Sequence, residues 1–442
     1  MLGLSALGIG SVTLLIFLAM IILLIMGMPL AFLTGLVAIA FTIGWFDVNA
    51  VGLIGSRIYS FVTEYSLVAV PMFVFMATLL DRTGVARDLY NTMRLFAGRL
   101  KGGVAVQTII VAAFLAAMSG IIGGETVLLG MLALPQMLRL GYDKKLAIGT
   151  VCAGGALGTM IPPSIVLIIY GLTASVSIGA LFTASVVPGL ILAGMYVTYI
   201  LIRCYRNPAM GPPAPAEDLQ MTLGQKLAEL RHILLPMMIV LFVLGSIYGG
   251  IASVTEAACM GVIGVMISAV IRREFTIKLI RSSLQQTMRT CGMIIWIGIG
   301  ASAIVGIYNL MGGKRFVEST ILGLDVPSIF IILLMMLILI ALGMFLDWIG
   351  IAMLTMPIFV PIVTALGYDP VWFGVVFCLN MQISFLSPPF GPAAFYLKSV
   401  APPEVSLGDI YKSVWPFMIL QAICLALVLA FPQIALWLGS GG

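Results

Sequence analysis

Apolar residues run together in stretches of eighteen or more along most of this chain, with polar residues gathered in short segments between them. Each stretch approaches the roughly 20 residues a helix needs to cross the hydrocarbon core of a bilayer. The pattern predicts spans near 8–26, 29–45, 65–81, 146–172, 177–202, 233–248, 251–271, 291–312, 371–397 and 413–437. Two further apolar segments, 104–138 and 327–365, read as re-entrant hairpins that enter and leave on one side. The expected fold class is all-α: a polytopic membrane protein of about ten spans and two hairpins. Two polar segments, 82–101 and 272–290, carry basic residues at helical spacing, Arg87 and Arg94 in one, Lys278 and Arg281 in the other. They read either as amphipathic helices on the cytoplasmic surface or as solvated connectors.

The longest polar stretch, Arg203 to His232, divides the chain into similar halves. Leu140-Gly141-Tyr142-Asp143 recurs 226 residues later as Leu366-Gly367-Tyr368-Asp369. At the same offset Gly124 recurs as Gly350, Pro135 as Pro361 and Pro162-Pro163 as Pro388-Pro389, and Ser177-Ile178-Gly179 returns three residues late as Ser406-Leu407-Gly408. A duplication follows. The first Gly-Tyr-Asp loop carries Arg139, Lys144 and Lys145, whereas no Lys or Arg lies between Arg315 and Lys398 around the second. Opposite basic content in equivalent loops predicts inverted repeats. The first repeat is 1–202, with scaffold spans in 1–101, a hairpin and broken helix in 102–175 and a span at 177–202. A cytoplasmic connector, 203–232, leads to the second repeat, 233–442, where 233–326, 327–400 and 413–437 take the same roles. This layout puts 19 of the 22 basic residues in the cytoplasm and leaves Arg57, Lys314 and Arg315 outside with both termini.

Composition narrows the function. With 62% hydrophobic and 9% charged residues and a mean hydropathy of +1.19, the chain is no soluble globule, disordered protein or nucleic-acid binder. The net charge of +5 reports loop bias and not an acidic partner. Six cysteines, at 152, 204, 259, 291, 378 and 424, form no CxxC pair and read as small hydrophobes. The only histidine, His232, lies in a polar loop, which leaves no histidine-based metal or catalytic site. The first apolar run lacks a basic n-region and a cleavage site, so it is expected to stay as a span.

Each half contains a span interrupted by adjacent prolines. One reads Gly154-Gly155-Ala156-Leu157-Gly158-Thr159-Met160-Ile161-Pro162-Pro163-Ser164, the other Asn380-Met381-Gln382-Ile383-Ser384-Phe385-Leu386-Ser387-Pro388-Pro389-Phe390-Gly391. Two prolines remove two donors, and the freed carbonyls need partners that lipid cannot supply. Such a break either packs as a kink or surrounds an ion or substrate, and a symmetric pair favours the second reading. The hairpin turns hold Ser119, Gly120 and Glu125 in the first half and Gly343 and Asp347 in the second. A carboxylate at membrane depth is a functional candidate, unless protonated against backbone or nearer the interface. Glu256, in Ser253-Val254-Thr255-Glu256, reads as a helix-start residue. With no Lys or Arg in any expected span, an anionic substrate would be met by half-helix N-termini and co-bound cations. Gly312-Gly313-Lys314-Arg315 lacks the spacing of a phosphate loop, and no Ser–His pair, aspartate pair or HExxH supports an intramembrane hydrolase.

At these motifs the chain resembles the large membrane subunit of tripartite ATP-independent periplasmic (TRAP) transporters over nearly its whole length. The matching residues include Ala153 to Gly158, Ile161-Pro162-Pro163-Ser164, Val187-Pro188-Gly189, Gly249-Gly250 with Thr255-Glu256-Ala257-Ala258, and Ser387-Pro388-Pro389-Phe390-Gly391. The resemblance implies no enzyme but a sodium-driven, elevator-type importer of small carboxylate-bearing solutes in the bacterial inner membrane. Its partners would be a periplasmic substrate-binding protein and a small membrane subunit on a separate polypeptide, with no organic cofactor. It also implies sodium held largely by backbone carbonyls at Ser119, Gly120, Gly155, Gly158 and Pro162, and at Gly343, Asp347, Ser384, Ser387 and Gly391. Ser164, Asn380 and Pro388 belong to the same candidate sites through the breaks. Many members of the family carry Ser-Gly-Ser-Ser at the first turn, where this chain reads Ser119-Gly120-Ile121-Ile122. A stand-alone anion symporter of related inverted-repeat fold is the alternative.

Overall fold

The computed structural model of the protein describes residues 3–94, 98, 100–120, 123–213, 231–323 and 326–439. Among them are helices, turns and no strand. The first half runs α1 (Gly8–Ile25), α2 (Leu30–Trp45), α3 (Gly52–Val62), α4 (Ala69–Arg82), α5 (Val85–Arg94), α6 (Gly103–Ser119), α7 (Gly124–Arg139), α8 (Lys144–Ala156), α9 (Ile165–Ala174) and α10 (Ile178–Arg206). The second runs α11 (Arg231–Tyr248), α12 (Val254–Ile271), α13 (Ile277–Leu310), α14 (Gly313–Leu322), α15 (Ser328–Gly343), α16 (Trp348–Ala365), α17 (Pro370–Leu386), α18 (Pro392–Lys398) and α19 (Leu407–Ala430), then a short α20 (Gln433–Leu436). Most of the connector, like Ile121 and Ile122, lies outside the described residues.

The halves match helix for helix with one exception. α1 and α2 correspond to α11 and α12, and α5 through α10 correspond to α14 through α19. Between them, α3 and α4 correspond to one unbroken helix of 34 residues, α13. Pro71 explains the difference. It stands in the first turn of α4, where its missing N–H is tolerated; in mid-helix it would break the ladder. The equivalent position in α13 is Ile297, so the helix runs through.

That continuity corrects the reading of 272–290. From Ile277 onward this segment is the first half of α13, and the true counterpart of α5 is α14. α5 itself is amphipathic, but Val85, Ala86, Leu89 and Tyr90 are buried and the helix packs on α6 and α11 rather than on lipid. α3 and α14 are helices that the apolar pattern does not predict. Seven of the helices are both long and apolar enough to cross a membrane, and the remaining apolar helices are shorter. Arg57 lies in α3, and Lys278, Arg281 and Arg289 lie in the part of α13 that precedes the expected span 291–312.

One apolar core joins the hairpins α6–α7 and α15–α16 to the broken helices α8–α9 and α17–α18, with α10 and α19 against them. A smaller cluster ties α1, α2 and α3 to the far end of α13. The six cysteines are all free thiols, five of them buried. The repeated Leu-Gly-Tyr-Asp motif is a helix stop and start. Gly141 (φ +78°) and Gly367 (φ +85°) take the left-handed conformation, and Tyr142 and Tyr368 donate their N–H to Met137 and Val363 carbonyls at 3.0 Å. Asp143 and Asp369 then cap α8 and α17 by accepting from Leu146 at 2.9 Å and Val371 at 2.6 Å. Glu256 forms a capping box with Ser253 at the start of α12, the structural role expected of it.

A methyl group at Gly141 or Gly367 would meet no atom within 4 Å, so only backbone strain opposes it. Gly141→Ala and Gly367→Ala are each expected to cost about 1 kcal/mol. Guanidinium unfolding in detergent micelles, followed by circular dichroism, should give equal and additive losses. A variant as stable as the parent would show that the turn has another conformation.

Candidate functional site

The two breaks are built differently. Residues 154–165 at the first are all buried, whereas Pro389 and Phe390 at the second are exposed. Both contain a cis peptide bond, Pro162-Pro163 and Pro388-Pro389. At the first break, Ser164 Oγ donates to the Thr159 carbonyl at 2.7 Å, across the gap. It does not cap α9, contrary to the usual role of a serine before a helix. The leading amide of α9, Ile165 N–H, donates instead to the Gly120 carbonyl of the hairpin turn at 3.3 Å. Gly120 lies against the Pro163 carbonyl. The hairpin thus supplies what the interrupted helix lacks.

Glu125 completes this junction. It begins α7, is 2% exposed, and accepts a hydrogen bond from Ser119 Oγ through Oε1, while Oε2 has no protein partner. Its carboxylate rests on the backbone at Gly158, and one residue on, Thr126 packs on Gly155. Either glycine replaced by a larger residue would push the hairpin off the helix.

At the second break the chain behaves otherwise. Gly343 packs on Ser384, the closest approach of that hairpin to α17. Asp347 caps α16 by accepting from Ile349 N–H at 3.1 Å and presents its side chain to a cavity. The carbonyls freed at Pro389 and Phe390 accept from Tyr411 Oη, at 2.7 and 3.3 Å. Tyr411 stands near the start of α19, outside the motif, and nothing local in sequence marks it. Gly391 (φ +34°) opens α18.

The cavity, about 100 Å³, lies where all these parts meet. Thr159 and Ile165 border it from the first half, and Gly343, Asp347, Ser384 and Pro392 from the second. Thr290, Met293 and Ile294 of α13 close one side, and Tyr396 of α18 another. No Lys or Arg lines it. Thr290 and Tyr396 escape sequence reasoning because each is supplied by an element distant in sequence from the turns. Tyr396 also lies on Gly123 of the first hairpin, so one ring touches both hairpin regions.

Of the fourteen sequence-selected residues, Gly343, Asp347 and Ser384 line the cavity; Gly391 and the ten described below do not. Asn380 is wholly buried and donates to the Met336 carbonyl at 3.1 Å, linking α17 to α15. Ser387 Oγ donates to the Ile383 carbonyl of its own helix at 2.7 Å. Pro388 precedes Pro389 in the cis bond and does not line the cavity. Ser119, Gly120, Glu125, Gly155, Gly158, Pro162 and Ser164 gather at the first junction. A second, outer crevice of about 280 Å³ separates α3 and α13 from α9 and α16 and is lined by Arg57, Glu64 and Asn309 among others.

Residues 17–434 match the family model described as "Tripartite ATP-independent periplasmic transporter, DctM component". The chain is 30% identical over 409 residues to the C4-dicarboxylate TRAP transporter large permease protein DctM of Pseudomonas aeruginosa, covering 90% of this chain and 93% of that one. It is 32% identical over 375 residues to the ectoine TRAP transporter large permease protein TeaC of Halomonas elongata, covering 84% and 86%. Among solved structures, the Alcanivorax borkumensis YdaH transporter shares the fold, with a TM-score of 0.64 at 15% identity over 97% of this chain and 98% of that one.

The tight seam at Gly155 gives a direct test. A methyl at Gly155 would collide with the Thr126 hydroxyl and approach the Thr126 backbone at 2.9 Å, whereas one at Gly194 would meet nothing within 4 Å. Gly155→Ala should lose about 1–3 kcal/mol through overpacking. Gly194→Ala, an exchange favourable in a helix interior, should be neutral or stabilising. Thermal melts of the two variants in one detergent should separate them; identical melts would mean the seam is loose.

Proposed function

Because the chain belongs to the DctM family of TRAP transporters, the large permease subunits of the bacterial inner membrane, we propose that it imports a small carboxylate-bearing solute on a sodium gradient. The family's tripartite organisation implies a small membrane subunit and a periplasmic binding protein as partners. It favours a delivered solute over a stand-alone symporter. The observation that carries the reading is the shared cavity: both broken helices and the Asp347 turn open onto one space. α9 begins there, and a helix N-terminus favours an anion. Without a basic side chain in the lining, charge balance for a carboxylate falls to such helix ends and to bound sodium.

Sodium at the second junction would draw on Asp347 and on the backbone near Gly343 and Ser384; at the first it would draw on the Gly155–Gly158 segment and the hairpin turn. The repeats would be inverted across the membrane and the cavity carried between its faces with the hairpins, as in an elevator.

Proteoliposomes holding both membrane subunits and the binding protein, charged with the ligand that protein retains on purification, test the coupling. An inward sodium gradient should drive uptake, and ATP should not. Uptake that survives collapse of the sodium gradient would overturn the reading. Asp347→Asn should weaken sodium affinity roughly tenfold while the protein still inserts, a loss of about 1.4 kcal/mol for one carboxylate–cation contact. Orientation has its own test. Cysteine introduced at position 143 should resist an impermeant maleimide applied to the periplasmic face, and at 369 it should react. Equal labelling at both would exclude inversion.

A further inference from the structure

The outer crevice of about 280 Å³ lies on the same three helices as the cavity. α9 borders the cavity at Ile165 and the crevice at Leu172 and Thr173. α16 borders the first at Ile351 and the second at Met353, and α13 borders the first at Ile294 and the second from Gly298 to Asn309. The two spaces are consecutive along one seam, the cavity toward the Arg289 end of α13 and the crevice toward the Leu310 end. At the end of the crevice nearest the cavity, the Phe61 ring and the Met353 methyl meet over Gly298. The fourth wall is α3. Arg57, Ser60, Phe61 and, just past the helix, Glu64 fall at i, i+3, i+4 and i+7, one face of a helix. The stem of Arg57 lies on Gly306, with Cγ 2.7 Å and Cδ 2.9 Å from where a methyl would stand, so α3 docks closely on α13 there. Among the described residues, neither the Arg57 nor the Glu64 side chain has an ion pair or a hydrogen bond, and they do not pair with each other. Asn309 borders the crevice with its Oδ1 shut off from solvent and without a partner. The cavity has no basic side chain in its wall; the crevice has one, and an acid beside it.

We propose that the crevice is a second solute site, for a small molecule that bears both a carboxylate and a protonated nitrogen, with Arg57 holding the carboxylate and Glu64 the nitrogen. A guanidinium fork donates two parallel hydrogen bonds to a carboxylate, and the Glu64 carboxylate accepts from an N–H. Asn309 Oδ1 is a further acceptor, which an N–H can satisfy and a second carboxylate cannot. Seven residues of helix rise about 10 Å, a span that the two side chains reduce to the length of a four-carbon solute. Phe61 and Met353 stand between this site and the cavity. The proposal rests on the reading of the chain as a transport subunit and narrows its solute: a dianion gains from Arg57 but is repelled by Glu64.

The experiment uses the full-length chain purified with its small membrane subunit, and two probes of matched length. One is 4-aminobutyrate, with a carboxylate and an ammonium group; the other is succinate, with two carboxylates. Ser60→Cys places a thiol in the crevice wall, and its rate of maleimide labelling is read from the peptide containing position 60, apart from the six native cysteines. 4-Aminobutyrate should slow the labelling and succinate should not. In that background Arg57→Gln and Glu64→Gln should each raise the concentration needed for protection about fivefold. Protection by succinate that Glu64→Gln strengthens would mark a plain anion site and overturn the proposal. Protection by neither probe overturns it too, and so does a thiol at position 60 that fails to label without a probe, since the crevice would then be closed. The comparison of the two probes needs neither charge variant to fold. None of these measurements uses a gradient, so their failure leaves sodium-driven uptake standing, and failure of that uptake leaves them standing.

Discussion

Inside a hydrocarbon layer no water can replace a missing backbone partner, and this constraint governs the centre of the molecule. Two helices are interrupted where they can least afford it, each by a pair of prolines. Partners come partly from across the gap, where Ser164 bonds Thr159, and partly from elsewhere in the protein: Gly120 at the first break and Tyr411 at the second. At the first break, hairpin and broken helix are therefore one unit. Neither is satisfied alone, so they must be positioned together and, if they move, must travel together.

The halves share an order of helices but differ in how they meet that constraint. The first junction is sealed, with a carboxylate laid over Gly158 and the whole break buried. The second is open, with a carboxylate aimed at a cavity and a loop that solvent can reach. The flanking elements diverge in the opposite sense. The first half is jointed at Thr63–Glu64, ahead of Pro71, and the second half answers with a single rod, α13. Asymmetry of this kind gives two copies of one motif unequal surroundings.

Much of this is legible in the sequence, and the reason is local. Gly-Tyr-Asp stops one helix and caps the next within four residues, and paired prolines interrupt a helix wherever they stand, so hairpins, breaks and repeat can be located from the chain. The continuity of α13 is harder to read, because polar residues in its first half mimic a connector while the backbone ladder ignores them. Asn380 and Ser387 sit in the correct motif yet point elsewhere; residue type does not fix the direction of a side chain on a helix. Thr290, Tyr396 and Tyr411 are invisible beforehand, since their relevance is created by contacts between segments far apart in sequence. Glu125 is visible as an acid in an apolar run, but its place over Gly158 is a fact of packing.

The length of α13 fixes a depth. Arg289 is its last charged residue, and from there to Leu310 the helix rises about 32 Å, close to the roughly 30 Å of hydrocarbon. Thr290, which borders the cavity, therefore stands at the edge of the apolar layer and not at its middle. The first hairpin agrees, since Gly124 lies beside Asp81 in the last turn of α4. The cavity in this conformation therefore lies toward one end of the apolar stretch of α13, the end marked by Arg289, and not halfway along it.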